Sequence, residues 1–137
     1  MILNGIKLSF IKYFDFKTRS SRSEYNYFLA FIFFAEIILT LIDETIGVIF
    51  SLAVLIPALS LSFRRLHDIN KSGWWCIFPL LFMFVLGLVY FFIIMATGVG
   101  INLLTGTIFG LILLAPYVYY IYLTSIKAGD PEINDYG

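Results

Sequence analysis

The chain has 137 residues, of which 61 % are hydrophobic and 13 % charged, whereas an ordinary soluble domain is about half apolar and about a quarter charged. Nine Lys and Arg balance nine Asp and Glu, so no overall field attracts nucleic acid, and we expect no nucleic-acid partner. A single Cys and a single His exclude an intramolecular disulfide and cannot supply the ligands of a usual zinc site, so we expect no metal or other cofactor.

The N-terminal stretch carries apolar side chains at every fourth position, at Ile2, Ile6, Phe10 and Phe14. This spacing predicts a short helix with an apolar stripe on one face. Two arrangements stay open, because such a helix can lie in the membrane interface or pack against other helices. No small-residue cleavage pattern follows the first long apolar run, so we expect no signal peptide to be removed.

Four apolar stretches follow, each 18 to 24 residues long, at residues 25–42, 46–63, 74–97 and 101–123. At about 1.5 Å rise per residue, even the shortest reaches about 27 Å, close to the thickness of a hydrocarbon core of about 30 Å. The links between them are short, so neighbouring helices run antiparallel. The sequence predicts an all-α, integral membrane four-helix bundle, a single membrane domain over residues 1–137 with a tail over residues 124–137.

The basic residues predict the orientation of this bundle. All nine Lys and Arg lie before the first stretch, between the second and third, or in the tail, whereas the first link carries Asp43 and Glu44. Because cytoplasmic loops retain Lys and Arg during insertion, we expect the N-terminus and the C-terminus to be cytoplasmic.

A polar cluster directly precedes the first span and reads Arg19, Ser20, Ser21, Arg22, Ser23, Glu24. Ser21 or Ser23 suits the N-cap of the first transmembrane helix, and Glu24 suits its positive end. Arg19 and Arg22 do not, because the dipole at a helix start disfavours cations. Both therefore require an anion, for which Asp68, a tail carboxylate and a lipid phosphate are candidates.

Glu36 lies about two thirds of the way through the first span, where an ionised carboxylate costs roughly 2.5 to 3.5 kcal/mol on insertion scales. The side chain can be neutral, reach water, or hydrogen-bond near the fourth helix to Thr97, Asn102, Thr105 or Thr107. Carboxylates within membranes often mark ion or proton pathways, so Glu36 is a candidate relay residue.

The link between the second and third spans is the densest polar stretch and reads Arg64, Arg65, Leu66, His67, Asp68, Ile69, Asn70, Lys71, Ser72, Gly73, Trp74, Trp75. Arg64 and Arg65 suit the negative end of the second helix, where they would cap its carbonyls. Ser72 suits an N-cap of the third helix, and Trp74 and Trp75 suit an anchor at headgroup depth. His67 and Asp68 form a candidate acid/base pair, although adjacent residues rarely point to one target.

The tail carries three carboxylates on the side of the bundle that carries the cations, at Asp130, Glu132 and Asp135. Two arrangements stay open, because the tail can fold back and pair these carboxylates with the arginines or remain disordered.

Proline and glycine occur inside the spans. Pro57, Pro79 and Pro116 each remove a helical N–H, and neighbouring helices can satisfy the freed carbonyls. Gly106 and Gly110 form a small-xxx-small pair that lets another helix approach closely, either within the chain or in a homo-oligomer.

Three segments resemble one bacterial family. They are FKTRSSRSEY at residues 16–25, RRLHDINKSGWW at residues 64–75 and a final NDYG, and together they are similar to the family called domain of unknown function 805. Thr18 stands where that family usually has glycine, and Asn26 where it often has tryptophan. The resemblance covers essentially the whole chain and implies a bacterial inner-membrane protein with four helices and no established reaction.

Two classes of function follow from these residues. In the first, a non-enzymatic module binds anionic lipid headgroups or a protein partner through the basic cluster, in which Arg19, Arg22, Arg64, Arg65 and Lys71 would be accompanied by Glu24, His67, Asp68, Trp74 and Trp75. In the alternative, a small oligomeric ion or solute transporter or channel uses Glu36. A membrane enzyme that uses His67 and Asp68 is a third hypothesis.

Overall fold

The computed structural model describes residues 2–98 and 103–136, in which the regular elements are helical. The long helices are α1 (Ile2–Ile11), α2 (Arg22–Ile42), α3 (Glu44–His67), α4 (Phe78–Thr97) and α5 (Leu103–Ile121). A 3₁₀ turn, Gly73–Cys76, precedes α4, and a π-helical turn, Tyr122–Ile126, extends α5. Four helices within the described residues are long and apolar enough to cross a membrane. The predicted all-α membrane fold is therefore confirmed.

Short polar side chains set the helix boundaries. The Ser21 hydroxyl accepts a hydrogen bond of 3.2 Å from the Glu24 amide, which makes Ser21 the N-cap of α2. Asp43 ends α2 and starts α3, because its amide donates to the Leu39 carbonyl while its carboxylate accepts from the amide of Thr45 at 2.7 Å. A single residue therefore turns the chain between two antiparallel helices.

Helices α1, α2 and α3 are tightly packed against one another. Helices α2 and α3 form one hairpin, in which Thr40 fills the space against Gly47. Helix α1 packs against both of them, with the Phe10 ring edge-to-face on Phe28 at 5.3 Å between centroids. The structure thus shows the packed arrangement of α1 against other helices.

The three prolines differ in their surroundings. Pro57 lies inside α3 and leaves the Ala53 carbonyl without its helical donor, and the Tyr13 hydroxyl donates to that carbonyl at 2.7 Å. Pro116 lies inside α5. The prediction that Pro79 removes a helical N–H inside a span is wrong, because the 3₁₀ turn takes up the start of the predicted span and Pro79 occupies the first turn of α4. A first turn needs no N–H at that position.

Helices α4 and α5 form the second hairpin, in which the Tyr90 and Phe109 rings stack at 4.1 Å. The two hairpins meet where the π-helical turn packs on α2 and α3 and the 3₁₀ turn packs on α3. We call this region, which includes the start of α2, residues 64–76 and residues 122–136, the basic end. Gly110 faces an open apolar cavity of about 320 Å³ between α4 and α5, and the predicted homo-oligomer contact through Gly106 and Gly110 stays a prediction.

Candidate functional site at the basic end

A buried ion pair lies at the centre of the basic end. Arg64 is fully buried, and its Nη1 donates to Glu24 Oε1 at 3.1 Å. Glu24 is 8 % exposed, so this carboxylate neutralises the guanidinium rather than only supporting the start of α2. The Arg64 carbonyl also accepts a bond of 3.1 Å from the Ser20 amide, which holds the segment before α2 against the end of α3.

A second ionic group joins two arginines through one carboxylate. Arg19 donates to Asp68 Oδ1 from Nε at 3.2 Å and from Nη2 at 3.1 Å, and Arg65 donates to the other oxygen of Asp68. Asp68, one of the three anions predicted as partners of Arg19, therefore does pair with it. Arg65 is fully buried, and its Nε and Nη2 also donate hydrogen bonds.

Those donors cap the end of the fourth transmembrane helix. Arg65 Nε donates to the Thr124 carbonyl at 2.7 Å, and its Nη2 donates to the Lys127 carbonyl. The intervening carbonyls of Ser125 and Ile126 accept from Asn26 Nδ2 at 3.1 Å and from Arg22 Nη1 at 3.2 Å. Four carbonyls that a helix end normally leaves unpaired are therefore bonded by α2 and α3.

The predicted capping of the α3 carbonyls by Arg64 and Arg65 is therefore wrong. Arg64 donates to Glu24, and Arg65 donates to Asp68 and to two carbonyls at the end of a different helix. The negative end of the last helix also provides Arg22 with the electronegative partner that the start of α2 cannot offer. The sequence does not predict this contact, because the two segments are about a hundred residues apart. The only signal was the unfavourable position of Arg22 itself.

The tail is ordered against this cluster as far as residue 136. Arg19 donates to the carbonyls of Asp130 at 2.5 Å and Glu132 at 3.0 Å, and the Asp130 amide donates to the Asp68 carbonyl at 2.7 Å. Backbone carbonyls, rather than the tail carboxylates that the sequence suggested, make these bonds. Gly129 lies so close to the Asp68 carboxylate that a Cβ atom would not fit. Gly137 lies outside the described residues.

His67 and Asp68 serve separate contacts. The His67 ring is 7 % exposed and stacks on Tyr136 with centroids 3.9 Å apart and planes 4° apart. Asn134 Nδ2 donates to the His67 carbonyl at 2.9 Å. Because the Asp68 carboxylate is bound by two arginines, the geometry gives the predicted acid/base pair no common target.

The remaining predicted residues of this loop face outward. Lys71 Nζ lies 5.1 Å from the centre of the Trp75 ring, a cation–π contact. Trp74 is 70 % exposed, which suits an interfacial position. Ser72 accepts from the Trp74 amide at 3.4 Å, so it caps the 3₁₀ turn and not α4 as predicted.

Glu36 lies away from the basic end, between α2 and α3. Its Oε1 accepts a bond of 2.6 Å from the Ser51 hydroxyl of α3, which also bonds the Gly47 carbonyl. Ser51 is not among the partners predicted near the fourth helix, of which Asn102 lies outside the described residues. A signal was available, because Glu36 and Ser51 lie nearly equidistant from the turn at Asp43, and such residues face each other in an antiparallel hairpin.

The chain matches a family model over residues 13–137, and the family carries the description "Protein of unknown function (DUF805)". Two curated relatives, both called Inner membrane protein YhaH and found in Escherichia coli K12 and O157:H7, are each 30 % identical over 76 residues. The match covers 47 % of this chain and 63 % of each relative, so the chain spans less than two thirds of their length. No solved structure matches. With four spanning helices, these findings indicate a multi-pass protein of the inner membrane.

Proposed function

The chain belongs to the family described as Protein of unknown function (DUF805), and from this membership and the geometry of the basic end we propose a non-enzymatic inner-membrane module that holds anionic phospholipid. The proposed orientation places both termini and the basic end in the cytoplasm, supported by the absence of Lys and Arg from the two opposite links. The cytoplasmic leaflet is rich in anionic lipid, and each basic residue near it contributes about 1 kcal/mol.

The main support for this proposal is that some basic side chains are buried in the protein whereas others are exposed. Arg64 and Arg65 are fully buried and bonded within the protein, so neither guanidinium reaches a headgroup in this conformation. Lys7, Lys17 and Arg22 are exposed. Lipid contact is therefore expected from these three outer cations, while the buried arginines hold the two hairpins together.

A native mass spectrum of the protein purified from nanodiscs with equal anionic and zwitterionic phospholipid tests the proposal. We expect the wild type to retain anionic lipid selectively, and the triple variant Lys7→Gln, Lys17→Gln, Arg22→Gln to lose that selectivity. Glu44→Gln, an exposed charge change at the opposite end, is the control. Equal retention of both lipids by the wild type would overturn the proposal. Substitution of Arg64 or Arg65 would be uninformative, because it would break the fold.

Transport through Glu36 has less support. Its bond to Ser51 lies within the α2–α3 hairpin, and a bonded serine hydroxyl lowers the cost of placing a carboxyl there without any pathway. We expect liposome flux of small ions to be the same for the wild type and Glu36→Gln. Flux that is present in the wild type and abolished by this change would revive the transporter hypothesis.

A further inference from the structure

An open cavity lies at the basic end where the two hairpins meet. It has a volume of about 450 Å³ and is lined by Arg22, Ser23, Asn26, Tyr27, Ser125 and Ile126. A neighbouring cavity of about 200 Å³, between α1 and α2, shares Ser23 and Tyr27 with it. The start of α2 therefore borders an extended surface that is lined by both polar and apolar groups, with the π-helical turn on its other side.

Arg22 gives this cavity its charge. Its Nη1 bonds the Ile126 carbonyl, whereas Nε and Nη2 have no protein acceptor among residues 2–98 and 103–136, and the side chain is exposed. Donors of one planar guanidinium are well placed to bind two oxygens of a phosphate. The cavity lining contains no carboxylate that would pair with the ammonium group of a zwitterionic headgroup. The lining therefore favours an anionic phosphodiester.

Apolar side chains continue from the cavity toward the membrane interior. Leu29 and Phe33 follow Asn26 by three and seven residues, hence on the same face of α2, and are 37 % and 61 % exposed. Tyr122 precedes Ile126 by one helical turn and is 47 % exposed. Acyl chains can cover these side chains, because the contacts between the hairpins are concentrated at the basic end.

We infer that this cavity is a specific site for one anionic glycerophospholipid, whose phosphate binds Arg22 and whose acyl chains lie along the exposed apolar faces of α2 and the end of α5. This inference rests on the proposed function and deepens it, since it reduces a general preference for anionic lipid to one site and one guanidinium. A lipid bound there would contact both hairpins at their junction.

The test is a titration of detergent-solubilised full-length protein with phosphatidylglycerol, followed by native mass spectrometry. We expect one tightly held lipid per chain, with its Kd raised about tenfold in Arg22→Gln because one charge-assisted phosphate contact is lost, and partly restored in Arg22→Lys. The control is Glu44→Gln, which changes an exposed charge at the opposite end of the α2–α3 hairpin and outside the cavity. It should keep affinity within about threefold of the wild type.

The outcomes separate the inference from the proposed function. If the wild type prefers anionic lipid but Arg22→Gln binds it as tightly, the cavity is not the site, and the proposed function stands on the other cations. If the wild type shows no anionic preference, both fail. Equal Kd values for phosphatidylglycerol and phosphatidylcholine at one site, or competition by millimolar inorganic phosphate alone, would also overturn the inference, because a lipid site requires the acyl chains as well as the charge.

Discussion

The contact between Tyr13 and the Ala53 carbonyl can be tested by a double-mutant cycle. Pro57 removes the N–H that would bond Ala53, and the Tyr13 hydroxyl replaces it at 2.7 Å. Ala53 lies about 14 Å along α3 from its start, inside a helix that is long and apolar enough to cross a membrane. In a hydrocarbon core, water cannot supply the missing donor. Tyr13→Phe leaves this carbonyl unpaired, and we expect the free energy of unfolding to fall by about 1 to 3 kcal/mol.

The Pro57 background distinguishes this explanation from simple loss of packing. Pro57→Ala restores a helical N–H to the Ala53 carbonyl, so in that background Tyr13→Phe should cost less than about 0.5 kcal/mol, a coupling of about 1 to 2 kcal/mol. Reversible unfolding in mixed micelles, followed by circular dichroism, measures all four free energies. Tyr119→Phe, on the exposed surface of α5, is the matched control. Equal costs of Tyr13→Phe in the two backgrounds would refute the reasoning.

Three further predictions concern the basic end and the turn before it. Glu24→Gln leaves the buried Arg64 guanidinium without its counter-ion and should destabilise the protein by about 3 to 5 kcal/mol in the same unfolding assay. Gly129→Ala should displace the tail from Asp68, which hydrogen exchange of residues 128–136 would report as at least tenfold faster. Burial would raise the pKa of Asp15, but hydrogen bonds from the Thr18 hydroxyl and from the amides of residues 17 and 18 lower it to about 2. The stabilisation from Asp15 should therefore be complete above about pH 4 and disappear as the pH falls to about 2, a dependence that Asp15→Asn abolishes.

The first two of these predictions have a control in the chain. Glu44→Gln changes an exposed carboxylate and should cost less than about 0.5 kcal/mol. Ile133 is 90 % exposed in the tail, so Ile133→Ala should leave exchange of the tail unchanged. Unaltered stability of Glu24→Gln, slow exchange in Gly129→Ala, or an unchanged acid profile of Asp15→Asn would each contradict the corresponding contact.

The transmembrane helices and the start of α2 were determined by interactions within single segments of the chain. The length and hydropathy of each span predict the four transmembrane helices, because the cost of exposing apolar groups to water, and of leaving backbone groups unpaired in lipid, acts on each segment by itself. The Ser21 cap is equally local, since it joins residues three positions apart. Hydropathy did not predict the helix boundary near Pro79, because it cannot distinguish a 3₁₀ turn from the start of a helix.

Only the tertiary structure decided how the polar residues are used. From the sequence, Arg65 suited the end of its own helix, yet it bonds carbonyls of Thr124 and Lys127 about sixty residues away. Arg22 likewise bonds the Ile126 carbonyl, which no charge pattern marks. A carbonyl becomes an acceptor for a distant arginine only when helix packing brings a helix end to it. The sequence therefore determined which segments cross the membrane, and packing determined which cations remain exposed for a ligand.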